Sequence, residues 1–321
     1  MVSLMKITSR LLFIVLFSGL FIAGCGNSTT DIADSEWDIF EEDVQVDLEV
    51  GQDQLSEVVD LVEDSLPDST APSTSLESGS LAIRLEDSLV LSVYRGDDLL
   101  LRLPADAFAY GLVGKLDDTT NYDPWPLIVG DGLYSAPEGL EWRSSSSFAS
   151  VKGESGELLL SLDFGEGVEG RLHVTEDGEN RVRFLWEVIP ATSPVGYMRI
   201  RPRIDESEGL YGLGEYFDQV NNRGKLRAMQ IEPYGALESK YNEAHVPVPF
   251  VIGTTGWGLF VESRLPGTFG CATEENDLLE VTYGTGTFSA SEGLVFYLMV
   301  EDNPMDLTRH YYEITGYPKL P

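Results

Sequence analysis

The sequence predicts an all-β protein, an antiparallel β-sandwich followed by one C-terminal helix. Three observations predict it. Beyond about residue 79, apolar residues recur at every second position in short runs, beginning with "LAIRLEDSLVLSVYRGDDLLLRL", where Leu81, Ile83 and Leu85 share one face. The runs are bounded by Gly, Pro, Asp and Asn, which supply turn geometry. No helical pattern interleaves with them, so an alternating α/β fold is excluded.

The strands follow in order. "RGDD" before Leu99 reads as a hairpin turn, and "ELLLSLDF", "GRLHVTEDGENRVRFLWEV" and "YMRIRPRI" continue the alternation, with "EDGEN" joining two strands. Later come "VPFVIG", "WGLFVES", "LLEVTYG" and "GLVFYLMV", each of strand length. The helix is expected last, in "EDNPMDLTRHYYEITGYPKLP". Asn303 caps it, Pro304 suits its first position, Leu307, Tyr311 and Ile314 line one face, and Gly316 stops it.

The other end of the chain is different in kind. Residues 1–24 read as a signal peptide: Lys6 and Arg10 precede an apolar run from Leu11 to Ala23, too short to span a bilayer comfortably. The ending Ile22-Ala23-Gly24-Cys25 resembles a bacterial lipobox, which implies that Cys25 is acylated and anchors an exported protein. Gly26, in place of an Asp, favours the outer membrane. Residues 25–78 contain no Lys or Arg and recur in Asp, Glu, Ser, Thr and Pro, so they read as an acidic, disordered tether. Residues 79–303 form the sandwich domain and 304–321 the connector helix and the start of a linker.

Composition excludes some functions. With 54 acidic and 21 basic residues the formal charge is −33, which repels phosphate backbones, so no nucleic-acid partner is expected. Membrane contact is expected through the lipid only. Cys271 reads as a small buried side chain with no disulfide partner. His173 and His245 lack metal-ligand spacing and sit beside no nucleophile, and the glycine-rich "GTTGWG" and "YGTGTF" lack a P-loop lysine. No metal or cofactor is expected.

The stretch "EGLYGLGEYFDQVNNRG" raises the question of chemistry. Glycines at 209, 212 and 214 permit positive φ and close backbone approach, so Tyr211, Gly212, Gly214 and Glu215 form a tight bend. A glycosidase acid would need a second carboxylate about 5–9 Å away. With 54 carboxylates in the chain no particular pair can be named from sequence, so Glu215 stands open at this point between a catalytic acid and part of the bend.

"GLYGLGEYFDQVNNRG", "YNEAHVPVPFVIGTTGWGLFVES" and "MDLTRHYYEITGYPKLP" together resemble the N-terminal domain of glycoside hydrolase family 31, the α-glucosidase and α-xylosidase family. The resemblance runs from about residue 80 to Pro321. It implies a galactose-mutarotase-like supersandwich placed before a (β/α)8 barrel, with retaining hydrolysis of α-linked carbohydrate. In the family both catalytic aspartates lie in the barrel, which follows the connector; the sequence stops at that connector. The expectation is thus an N-terminal domain with no catalytic residue of its own, partnered by a family 31 barrel in cis or in trans. The resemblance then implies that Glu215 is structural, bracing the bend, with Arg223 as its candidate partner. The family's sugar-contacting loop aspartate is matched by Glu232, one methylene longer, and Tyr234 and Trp257 are the aromatics that could stack on a sugar. Two other readings are a standalone surface carbohydrate-binding lipoprotein and a mutarotase-type sugar epimerase, the latter weakened by the absence of an evident His and Glu pair.

Overall fold

A computed structural model of the chain describes residues 74–86, 89–113, 140–154, 156–189, 195–216, 218–229, 246–285 and 293–319. All of these lie in the unit Pro67–Pro321.

The chain opens with a meander of four strands, β1 (Ser75–Ser78), β2 (Leu81–Glu86), β3 (Val90–Arg95) and β4 (Asp98–Pro104), paired in chain order. The turn between β3 and β4 is the predicted "RGDD", with Gly96 at φ 59°. β1 lies inside the segment that composition assigns to the tether. Leu76 and Ser78 are buried there because pairing with β2 supplies the cover that local composition does not reveal.

Then follow β5 (Phe108–Leu112), β6 (Glu141–Ser144), β7 (Ser147–Glu154), β8 (Glu157–Asp163), β9 (Glu169–Glu176), β10 (Arg181–Ile189), β11 (Val195–Ile200), β12 (Leu210–Gly214) and β13 (Lys225–Met229). The remaining strands are β14 (Pro247–Gly253), β15 (Trp257–Glu262), β16 (Gly267–Cys271), β17 (Leu279–Gly284) and β18 (Leu294–Val300). They assemble into an eight-stranded sheet, β12-β14-β15-β18-β10-β9-β8-β7, and a six-stranded sheet, β13-β16-β17-β11-β5-β6. Every pairing between named strands is antiparallel, as the period-two pattern predicts.

The two large sheets face each other across one core. Leu158, Leu160 and Leu162 of β8, Leu172 and Val174 of β9, and Val182, Phe184, Trp186 and Val188 of β10 all point inward, at even positions. Phe108 of the six-stranded sheet meets Trp186 of the eight-stranded sheet edge to face at 5.7 Å. Each such fully buried aliphatic or aromatic side chain contributes about 1.5–3 kcal/mol, which is why strict alternation specifies this layer.

The helix α1 (Leu307–Thr315) ends the described fold. Asn303 accepts a hydrogen bond from Met305 N, Pro304 opens a 3-10 turn, and Gly316 leaves the helix at φ 97°. Leu307, Tyr311 and Ile314 pack on Phe250, Phe260, Tyr297 and Met299, the outer face of β14, β15 and β18.

Candidate functional site

The bend in β12 is built from backbone geometry that few residues tolerate. Gly212, Leu213 and Gly214 have consecutive φ values of 90°, 67° and 105°. A Cβ at Gly212 would stand 2.4 Å from the Phe250 carbonyl oxygen, and one at Gly214 would stand 2.1 Å from that of Val246. Leu213 holds its left-handed conformation while fully buried, so core burial offsets its strain.

The free edge of β12 is closed by two asparagines. Asn221 Oδ1 accepts from Leu210 N at 3.0 Å, Asn222 N donates to Leu210 O at 2.7 Å, and Asn222 Nδ2 donates to Gly212 O at 3.2 Å. Asn222 Oδ1 in turn accepts from Arg227 Nε at 2.8 Å. Arg227 is almost fully buried. Its guanidinium lies 4.0 Å from the centre of the Tyr216 ring and donates to Asp218 Oδ1 at 2.7 Å. That hydrogen bond lowers the Asp218 carboxyl to about 2.

Two sequence expectations are corrected here. Glu215 is exposed, and its carboxylate has no partner among the described residues. Arg223 turns the other way and donates to the carbonyls of Asp205, Glu206 and Asn276. The brace is Arg227 with Asp218 and Asn222. The one available signal was an arginine within the apolar "KLRAM", where a buried cation demands an acid nearby. Trp257 is the second correction. It is fully buried, and its indole N–H donates to Glu208 Oε2 at 3.0 Å, so it presents no face to a sugar. Glu208 also accepts from Thr255 Oγ1 at 3.0 Å, and burial raises its carboxyl above the usual range. Tyr211 is half-buried and packs its ring against Gly209.

Beside the bend lies a cavity of about 250 Å³, lined among others by Met229, Pro247, Pro249, Arg264, Pro266 and Tyr283. Met229 ends β13 and Pro247 begins β14, so the cavity sits where the segment 230–245 departs from and rejoins the sandwich. Glu232, Tyr234 and His245 belong to that segment and lie outside the described residues, as does Cys25. Cys271 is buried as expected, and desolvation pushes its thiol up to about 12. Among the described residues, no group of His, Cys, Asp and Glu could hold a metal ion.

The outer faces of the two sheets differ. On the six-stranded sheet, Arg199 stacks 3.7 Å from the Trp142 ring centre, and Arg199, Arg201 and Arg203 form a ladder of ion pairs with Glu274, Glu275, Asp277 and Glu280. On the eight-stranded sheet, α1 covers β14, β15 and β18. Over β8 and β9, His173 Nε2 is hydrogen-bonded to Glu157 Oε1, and both side chains are half-exposed. Sequence reasoning missed this pair because only strand register joins residues 16 apart.

These features define a sandwich whose fold is shared with solved enzymes. A family 31 sulfoquinovosidase from E. rectale, solved with an aza-sugar inhibitor, superposes with a TM-score of 0.50 at 16% identity, covering 74% of this chain and 35% of that one. Among curated proteins, the isomaltosyltransferase of Sporosarcina globispora is 28% identical over 112 residues, 35% of this chain. The α-xylosidase XylQ of Lactiplantibacillus pentosus is 26% identical over 174 residues, 52% of this chain. The matched regions span 10% and 21% of those two proteins. No family model matches the chain. The resemblance to glycoside hydrolase family 31 read from the motifs is thus borne out by relatives of that type, and the fold is the all-β sandwich expected.

Proposed function

We propose that the chain is the N-terminal sandwich module of a family 31 α-glycosidase, and that it shapes the substrate site of a (β/α)8 barrel supplied in cis or in trans. The observation that carries this reading is the cavity lined by Met229 and Pro247, the described strand ends on either side of residues 230–245. It lies beside a bend held by Arg227, Asn222 and positive-φ glycines, so those two strand ends are anchored by directional contacts. Rigid roots are what a substrate-contacting loop requires. The curated relatives, a glycosyltransferring enzyme and a glycosidase, support α-linked carbohydrate as the substrate class.

In this reading Glu232 accepts a hydrogen bond from a sugar hydroxyl, Tyr234 packs on a sugar face, and the sandwich holds no nucleophile or acid of its own. Cys25 carries the lipid that fixes the protein to the bacterial surface, with the outer membrane favoured. The test joins the sandwich to a family 31 barrel and compares wild type with Glu232→Ala. A fall in kcat/KM of about tenfold or more, the value of one well-placed polar contact, is expected while thermal stability is unchanged. Equal kcat/KM in the two would remove Glu232 from the site, and α-glycoside turnover by residues 67–321 alone would overturn the reading as a whole.

A further inference from the structure

The geometry points to a proton-operated latch on the terminal helix: His310 holds α1 against the outer face of β14, β15 and β18 as an imidazolium, and loss of its proton loosens the helix. This inference is independent of any barrel.

The helix is suited to local release. α1 is nine residues long, and only Leu307 and His310 within it are fully buried. Tyr311 adds a stacked contact to Phe250, with ring centres 5.2 Å apart, and an edge contact to Phe260 at 5.3 Å. A terminal element with so few buried groups opens without the rest of the sandwich, so one polar contact is a large share of what holds it. His310 supplies that contact. It lies on the apolar side of the helix, one turn from Leu307 and from Ile314, which pack on the sheet.

The imidazole stands between two carboxylates. Nε2 lies 2.7 Å from Glu301 Oε1, just past the end of β18, and Nδ1 lies 3.9 Å from Glu313 Oε2, one turn further along α1. The His310 side chain is 4% exposed, and Nδ1 has no hydrogen-bond partner among the described residues. A neutral imidazole has a single N–H for these two positions. With the proton on Nε2, a buried lone pair on Nδ1 faces the Glu313 carboxylate; with the proton on Nδ1, a lone pair faces Glu301 across 2.7 Å. The result is the same for either tautomer. Only the imidazolium turns an N–H toward both acids.

The other charges around His310 set what its proton controls. Glu301 Oε1 also accepts from Arg309 at 2.7 Å, and the Glu301 carbonyl accepts from Arg95, which is paired with Asp98 and Asp302. Arg181, in the turn between β9 and β10, donates to Glu313 Oε2 at 2.9 Å and to the His310 carbonyl at 3.4 Å, and is itself paired with Asp177. Each carboxylate thus keeps an arginine when the imidazolium is lost, so α1 loosens while the strands stay paired. The acid limit is set by Glu301. Burial raises its carboxyl, but the hydrogen bonds and charges of His310 and Arg309 outweigh burial and leave it below its ordinary 4.5. Its contribution is complete above pH 4.5 and is lost as pH falls through the lowered folded value. The latch holds between that limit and the pH at which the imidazolium gives up its proton.

The experiment follows hydrogen exchange of the full chain from about pH 5.5 to about pH 9, with protection corrected for the intrinsic pH dependence of amide exchange. On alkalinisation α1 is expected to lose protection by about tenfold or more, the worth of one charge-assisted hydrogen bond, while β8 to β10 keep theirs. The midpoint should coincide with the His310 titration followed by NMR, its signal assigned by its absence from His310→Gln. His310→Gln, which can donate to Glu301 but carries no charge, should show low α1 protection at every pH. Glu301→Gln should move the loosening to lower pH. Constant α1 protection across the range in wild type, or a midpoint that differs from that of His310, would overturn the inference. So would a pH-dependent release that persists in His310→Gln.

Discussion

The strands β8 to β10 and the bend between β12 and β13 belong to one sandwich and are held by opposite means. In β8 to β10 the even side chains, apart from the exposed terminal Glu176, are Leu, Val, Phe and Trp, all buried, and the odd ones face outward. The stabilising term is non-directional burial, and a register slip by one residue would expose the whole set. In the bend, three consecutive residues take positive φ, and the buried groups include Glu208, Asn222 and Arg227. There the stabilising terms are directional hydrogen bonds, each of which leaves a desolvated group unpaired when broken. The difference implies that the alternating layer tolerates conservative change and the bend does not.

The largest expected effect breaks the bend through its backbone. Gly214→Val places a Cβ against the Val246 carbonyl at a φ that valine does not adopt. A loss of about 4 kcal/mol or more is expected, at the upper end for single substitutions, read as a collapse of the urea midpoint. A smaller effect comes from the brace. Arg227→Ala unpairs Asn222 and Asp218, but Asp218 is part-exposed, so about 2–3 kcal/mol is expected rather than the full cost of a stranded buried charge. Denaturation of residues 67–321 would measure both.

The smallest effect is a change of pH slope. Burial raises the Glu208 carboxyl above its ordinary 4.5, so the folded state binds that proton more readily than the unfolded chain. Its contribution is fully favourable below pH 4.5 and is lost as pH rises through the elevated folded value. Wild type should therefore gain stability on acidification from pH 7 to 5 relative to Glu208→Gln. Parallel stability profiles for the two proteins would show that Glu208 does not titrate in this window.

The contrast also decides what was legible in the sequence. Period two gave the inward faces of β8 to β10, and Asn303, Pro304 and Gly316 marked the ends of the terminal segment, because these signals are local. β1 was read as tether because its burial comes from β2 and not from its own composition. Arg227 and its partners were missed, and Glu215 with Arg223 chosen instead, because hydrogen bonds to residues five and nine positions away across a loop depend on where the chain turns. Trp257 followed the same rule: its neighbours in sequence are small, and its burial comes from the core it joins and from Glu208, 49 residues away, which accepts its indole N–H. His173 and Glu157 were invisible until register was known.

Native-state hydrogen exchange on Arg227→Ala is the most direct measurement of the division between the two regions. The account predicts that amide protection falls in β12 and β13 while β8 to β10 keep theirs. A uniform loss across all five strands would contradict it, showing one cooperative unit in which the bend has no separate scaffolding.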